Sequence, residues 1–209
     1  MNTISLMQAF AAAVLVSAAS QAPAQELTIT PYAGWRSSGQ GLQRSAASET
    51  PLKLSAGPAA SISIDWRLDA ARQLQLFASQ HATELETQAA TATLASQRLP
   101  IRLSTLHLGG TNFIDGRIGA GTYVVGGLGF SYFSPSLAPY ESALRLSMNL
   151  GLGYQWPLSP ALALRTELRA FVTLINSSGS FLCSGGCVVS IKGDTLTQAE
   201  VLFGLAVNF

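Results

Sequence analysis

This 209-residue chain is short of charge. Lysine and arginine number 12 and aspartate and glutamate 11, so charged side chains make up 11% of it, against about 25% in an average soluble domain. The formal net charge of +1 offers no basic surface and predicts no nucleic-acid partner. Histidine and cysteine are equally scarce, with two of each. Cys183 and Cys187 stand in Phe-Leu-Cys-Ser-Gly-Gly-Cys-Val with no histidine or acid cluster beside them, which argues against a metal site. No cofactor is expected either. Gly119-Ala-Gly121-Thr-Tyr-Val124 lacks the third glycine and the following helix of a dinucleotide fingerprint. Long hydrophobic runs are missing too: after Ala24 no segment reaches the ~18 uninterrupted apolar residues of a spanning helix. Yet 48% of the residues are hydrophobic. A chain that is apolar, poor in charge and without spanning helices can still live in a membrane if its strands span it. A soluble secreted β-sandwich is the competing fold.

The exception to the missing apolar runs lies at the amino terminus. Ile4 to Val16 is almost wholly apolar, and Ala22-Pro-Ala24 places small residues where a signal peptidase reads. A signal peptide over residues 1–24 and a mature domain over 25–209 are expected. Met1-Asn-Thr lacks the usual Lys or Arg of the n-region, and a buried Ala-rich helix is the alternative. Export puts Cys183 and Cys187 in an oxidising compartment, so a small local disulfide that staples a loop is expected of them.

Read with period two, the mature chain divides into eight strands. They run from Leu27 to Trp35, about Ala59 to Leu68, Gln73 to about His81, about Arg102 to Asn112, and Arg117 to Tyr132. Ala143 to Trp156, about Ala161 to Ile175 and the terminal segment ending Val201-Leu-Phe-Gly-Leu-Ala-Val-Asn-Phe209 complete the set. The sixth alternates most plainly, with Leu144, Leu146, Met148, Leu150, Leu152, Tyr154 and Trp156 against Arg145, Ser147, Asn149, Gly151, Gly153 and Gln155. Strands apolar on one face and polar or small on the other are those of a barrel wall in lipid. Asp69-Ala-Ala71, Ile114-Asp-Gly116 and Pro157-Leu-Ser-Pro160 predict tight turns, the second with a two-residue hairpin signal. The other connections, near Arg36–Ala56, Ala82–Ile101, Phe133–Ser142 and Asn176–Thr195, are longer.

Short turns on one side and longer loops on the other predict an all-β, eight-stranded antiparallel transmembrane β-barrel, with periplasmic turns and extracellular loops. A soluble sandwich has no reason to keep that asymmetry. This threading puts Trp66, Tyr154 and Trp156 at the turn end and Trp35 and Tyr132 at the loop end, as an aromatic girdle at each membrane–water interface would require. Pro31 removes a ladder donor inside the first strand, so a local bulge is expected there.

With its terminal Phe209 strand, its Asp115-Gly116 turn and its alternation of short turns with long loops, the mature chain resembles the small eight-stranded outer-membrane barrels, the group that holds the OmpA transmembrane domain, OmpX and OmpW. The resemblance implies a monomer in the bacterial outer membrane, surrounded by outer-membrane lipid. It also implies that the carboxy-terminal strand, with Phe209 as its signal, engages the barrel-assembly machinery.

The inward parity carries Asp65, Arg67, Arg117, Arg145, Arg165, Glu167, Arg169 and Glu200. Charges in so narrow an interior must be paired, and the adjacency of the last two strands suggests that Arg169 or Arg165 meets Glu200. These residues read as a lumen charge network, either a structural plug or the lining of a narrow pore through Arg165, Glu167 and Arg169. Catalysis is not expected. The one arrangement that could support acyl transfer, His81 with Ser79 two residues away and Glu84 and Glu86 beyond, is of a kind that chance supplies; His107 reads as a hydrogen-bond partner in the lumen. The Ser-, Thr- and Gly-rich loops are where an extracellular ligand would bind. The expected role is therefore envelope-structural or surface-interacting, with a narrow solute pore second and a lipid A-modifying enzyme third.

Overall fold

The computed structural model describes residues 27–38, 52–87, 98–135, 142–174 and 195–209. The signal-peptide region, most of each long connection and both cysteines lie outside them, so the cleavage and disulfide expectations fall on residues not described. Between its turns the described chain is strand: β1 (Leu27–Ser38), β2 (Leu52–Leu54), β3 (Gly57–Arg67), β4 (Arg72–Thr87), β5 (Arg98–Phe113), β6 (Gly121–Pro135), β7 (Ala143–Pro157), β8 (Leu162–Leu174) and β9 (Thr195–Asn208).

Every pairing is antiparallel. The order β4-β3-β1-β9-β8-β7-β6-β5, with β4 also paired to β5, closes the sheet into an eight-stranded barrel. Closure leaves no wall strand with an unpaired edge, a requirement inside lipid, where no water can satisfy free N–H and C=O groups. The first and last strands meet through Phe209 N–H donating to the Leu27 carbonyl at 2.9 Å. Among the described residues the short β2 pairs only with β4. It continues β3 beyond a β-bulge: between Leu54↔Leu85 and Ala59↔His81 the chain spends four residues opposite three. The extra residue reverses the side-chain parity and turns Leu54 inward, where it is buried.

Three sequence expectations about the wall are corrected. Pro31 makes no bulge: the β1–β9 register is the same on both sides of it, from Ile29↔Val207 to Tyr32↔Gly204, and the ladder skips Thr30 and Pro31 and resumes unchanged. The turn after β5 is not a two-residue hairpin. β6 begins at Gly121, and residues 114–120 form a longer turn in which Gly116 and Gly119 take φ of 73° and 109°, values that glycine adopts without strain. Finally, β4 and β5 run well past the expected ends near His81 and Arg102, staying paired out to Glu86↔Arg98.

The other two tight turns are held by their own side chains. Asp69 Oδ1 accepts from the N–H groups of Ala71 and Arg72 at 2.9 and 2.8 Å, an Asx turn. Ser159 Oγ accepts from Leu162 N–H at 3.1 Å. The 114–120 turn folds against the first of these, with Ile118 N–H donating to the Ala70 carbonyl at 2.9 Å.

Candidate functional site in the barrel lumen

Period-two strands in a closed wall sort the side chains into two populations. On the outward parity, large apolar residues stand exposed, among them Leu106, Leu108, Leu128, Leu150, Leu168 and Phe203. A continuous exposed apolar belt of this kind is costly in water and at home in lipid. Trp35 and Tyr132 lie on the same face toward the loop end, and Trp66, Tyr154 and Trp156 toward the turn end, all exposed. The inward parity is polar, and among the described residues it holds nearly all the buried charge.

Three arginines cross the interior, each fully buried and each on its own carboxylate. Nearest the turns, Arg165 Nη1 donates to Asp65 Oδ2 at 2.7 Å and Arg165 Nε to Gln155 Oε1 at 2.7 Å. In the middle, Arg169 Nε donates to Glu167 Oε2 at 2.6 Å and Arg169 Nη2 to Gln75 Oε1 at 2.9 Å. Toward the loops, Arg36 places Nε and Nη2 on Glu200 Oε2 at 3.0 and 2.5 Å and Nη2 also on Ser79 Oγ at 2.8 Å. Gln75 links two layers, because its Nε2 donates to Asp65 Oδ1 at 2.7 Å while its oxygen serves Arg169. Glu167 is also the acceptor for the hydroxyls of Tyr32 and Tyr123, at 2.7 and 2.8 Å. Buried charges survive only when paired and hydrogen-bonded in this manner.

Aromatic rings fill the space between the pairs. The Arg36 guanidinium lies 4.1 Å from the Phe171 ring centre and that of Arg169 3.9 Å from Phe77, while the two phenylalanine rings are 6.2 Å apart. The result is a cation–ring–ring–cation stack across mid-lumen, in which Tyr32 and Leu202 join the two phenylalanines as one apolar slab. Below the charges, Phe113, Tyr123 and Val125 form a second apolar cluster, and Ile118 of the turn packs against it as a floor. The tyrosines fit because glycines face them across the ladder. Tyr32 is opposite Gly204 and Tyr123 opposite Gly153, and a Cβ on either glycine would run into the ring.

The structure redistributes the charges read from sequence parity. Asp65, Arg165, Glu167, Arg169 and Glu200 are buried together. Arg67 is not with them: it is exposed where β3 leaves the barrel for the turn. Arg117 is exposed in the 114–120 turn, and Arg145 is half-buried near the loop end of β7. Arg169 and Glu200 face each other across the β8–β9 ladder, yet Glu200 pairs with Arg36 instead. Sequence reading put Arg36 at the start of a loop. Extending the parity of Thr28, Thr30, Tyr32 and Gly34 by one step reaches it; the contributions of Gln75, Phe77 and Phe171 had no comparable signal.

The two histidines were read separately, and the structure treats them separately. His81 Nδ1 meets the Pro58 carbonyl at 3.0 Å, while Ser79 is taken by Arg36. Ser79 and His81 thus have other partners and form no nucleophile–base pair. A serine–histidine contact does occur, between His107 Nε2 and Ser147 Oγ at 2.8 Å. It is buried, and among the described residues His107 Nδ1 has no orienting partner. Among the described residues no three His, Cys, Asp or Glu side chains gather as metal ligands. A hollow of about 320 Å³ in the β5–β6 wall, lined by Leu68, Val124, Leu150 and several glycines, includes none of the buried ion pairs.

No family model matches the sequence, and no curated protein is similar to it in sequence. Solved structures are similar in shape. Neisserial surface protein A superposes with a TM-score of 0.51 at 15% identity, over 88% of this chain and 97% of that one. The outer-membrane protein OprG from Pseudomonas aeruginosa gives 0.52 at 13% identity, over 89% and 96%. This is the fold of the small eight-stranded outer-membrane barrels. The outer-membrane protein AlkL, solved in lipid bilayers, adds a TM-score of 0.52 at 11% identity, over 91% and 93%. At these identities the likeness is one of fold, and the lumen described above has to be interpreted from its own chemistry.

Proposed function

We propose that this chain is an integral β-barrel of the bacterial outer membrane, non-conducting and non-catalytic, whose work is done by its envelope-spanning wall and its loop face. The placement is supported by the exposed apolar belt with aromatic residues toward both ends and by the shared fold of three outer-membrane barrels. The observation that carries the non-conducting reading is the stack of three fully buried arginine–carboxylate pairs, two of them linked through Gln75. An eight-stranded barrel is just wide enough for side chains to fill it, and here they fill it with bonded groups. The loops at one end are then the part left to meet a partner, and the similarity to a protein named for the neisserial surface agrees with a surface-interaction role. Residues 1–24 are removed on export, Cys183 and Cys187 staple the last loop, and Phe209 closes the strand read by the assembly machinery.

The test is conductance of the refolded barrel in a planar lipid bilayer. A silent bilayer is expected, and discrete openings would overturn the plug. The pore reading has its own check: if Arg165, Glu167 and Arg169 line a conduit, Arg169→Ala changes ion selectivity in that bilayer. Loop deletion tests the surface reading, because shortening residues 39–51 should abolish host-cell or partner binding while the barrel still folds.

A further inference from the structure

One stretch of the outward wall carries no side chains. The ladders align Leu74, Gly110, Gly126 and Leu150 in a single outward row across β4, β5, β6 and β7. Two leucines therefore flank two bare glycines. The next outward row toward the loops includes Leu108 and Leu128, and the next toward the turns runs Arg72, Asn112 and Val124. The gap is the hollow of about 320 Å³, and it opens outward, because Leu68, Val124 and Leu150 on its lining are exposed. That volume lies at the lower end of the ~300–1,000 Å³ of small-molecule sites. The hollow does not pierce the wall: β5 and β6 stay paired without a break from Ile101↔Pro135 to Phe113↔Tyr123.

Glycine inside a strand marks a bulge, a tight bend or the close approach of another group. The unbroken register excludes a bulge. A bend accounts for the lumen-facing pair Gly109 and Gly127, since a Cβ on Gly109 would run into the Gly126 carbonyl. It does not account for Gly126 itself. There a Cβ would make ordinary contacts, at 3.5 Å with the Asn149 carbonyl and 3.6 Å with Leu150 Cδ1. The wall would accept a larger residue at Gly126, and its absence leaves room for a guest.

The rim says which guest. Leucines bound the hollow on both sides and toward the loops, and only the turn-side edge is polar. Arg72 there is exposed and places Nε on Asp69 Oδ2 at 2.6 Å. Among the described residues its two Nη groups have no partner, and the Asn112 side chain opposite is exposed as well. The 114–120 turn folds against the β3–β4 turn, so three arginines, Arg67, Arg72 and Arg117, stand near two aspartates, Asp69 and Asp115. The edge therefore has one cation in surplus. An apolar hollow with an arginine at its interfacial end complements an apolar chain that ends in an anion. Inside lipid, burial alone gains nothing. Close packing around a chain and guanidinium–phosphate hydrogen bonds do.

We propose that this hollow holds one glycerophospholipid of the turn-side leaflet, with an acyl chain over Gly110 and Gly126 and its phosphate on Arg72 and Asn112. The inference rests on the reading of the wall as membrane-spanning.

The unmodified barrel, refolded into vesicles of phosphatidylglycerol with a diazirine on one acyl chain, tests both. After irradiation, cross-links mapped by mass spectrometry should concentrate on residues 108–112 and 124–128. Even labelling round the belt would overturn the proposal, leaving ordinary lipid contact only. An unlabelled hollow in an otherwise labelled belt would overturn it too, and would point to a second copy of the barrel as occupant. Absence of labelling on every outward residue would refute the spanning reading, and the proposal with it. A second measurement is native mass spectrometry of lipid retained after detergent extraction. Ala199→Leu, which adds the same bulk to an exposed position on β9, should retain one phospholipid as the wild type does. Gly126→Leu should lower retention roughly fivefold or more by filling the hollow, and Arg72→Gln about two- to fivefold, the worth of one arginine near a lipid surface. Equal retention in all four proteins would overturn the site.

Discussion

Glu167→Gln is the substitution that most directly probes the lumen. The wild-type carboxylate accepts from Tyr32 and Tyr123 on Oε1 and from Arg169 on Oε2. The amide has the same shape but only one acceptor oxygen. Turned with that oxygen on Arg169, its NH₂ group can still donate to the tyrosine hydroxyls, but Arg169 stays fully buried without a counter-charge. Breaking a buried ion pair from one side costs about 3–5 kcal/mol, and that is the expected loss. Tyr32→Phe removes a single hydrogen bond to the same carboxylate and should cost about 1.5–3 kcal/mol. Because the two changes share an acceptor, the double variant should lose less than their sum. Replacing both charges, as Glu167→Leu with Arg169→Met, removes the uncompensated charge but leaves Tyr32, Tyr123 and Gln75 without this partner, so it should recover only part of the single-site loss. The assay is equilibrium urea unfolding from lipid vesicles, followed by the fluorescence of the three tryptophans and by gel mobility. Salt should not narrow the difference between wild type and Glu167→Gln, because a buried pair is poorly screened. A loss under about 1 kcal/mol, the worth of an exposed pair, would mean that Glu167 is solvated and the plug reading is wrong.

The remaining expectations concern the wall and the turns. Leu128 at the centre of β6 and Leu158 in the turn after β7 are almost equally exposed, at 62% and 63%, yet only the first should sit at mid-bilayer. Leu128→Arg should therefore cost about 2–4 kcal/mol in vesicle unfolding and Leu158→Arg about 0–1; equal costs would misplace the barrel in the membrane. Gly204→Ala should cost about 1–3 kcal/mol by overpacking Tyr32, and the same change should cost less when made in a Tyr32→Ala background; an unchanged urea midpoint in the single variant would refute the close approach. The Asp69 carboxyl is held below the usual carboxylate range by the Ala71 N–H first, then by the Arg72 side chain and N–H. Its folded-state value is depressed, so its contribution is complete above the unfolded pKa and is lost as pH falls through the folded one. The difference between wild type and Asp69→Ala should thus shrink on acidification, and a difference that grows in acid would reverse the assignment.

Much of the architecture was already legible in residue order, because a barrel in lipid constrains every second residue. Outward positions must be apolar to meet the bilayer and inward positions must be polar or small to share a narrow lumen. The runs Leu144 to Trp156 and Val201 to Phe209 state that rule plainly enough to predict strands, parity and closure. Strand ends were less legible. Beyond the membrane the apolar alternation fades while the hydrogen bonds continue, as in β4 and β5 out to Glu86↔Arg98. Pro31 misled for a related reason: proline reports a missing donor, but whether the ladder bulges or skips depends on the neighbouring strand.

Parity in the sequence determined that buried charge would line the lumen, and that Asp65, Arg165, Glu167, Arg169 and Glu200 would be part of it. Which charge meets which was decided only by the tertiary structure. Arg36 and Glu200 are 164 residues apart in sequence and meet because barrel closure pairs β1 with β9, where they stand directly opposite. Arg165 and Asp65 are 100 residues apart and lie on β8 and β3, which are not neighbours in the sheet, so that guanidinium crosses the lumen and its partner is set by the closed barrel's curvature and stagger. The same holds for Phe77 and Phe171, apolar residues on a polar face. They violate the alternation locally, and only the closed barrel shows them as the slab between two arginines.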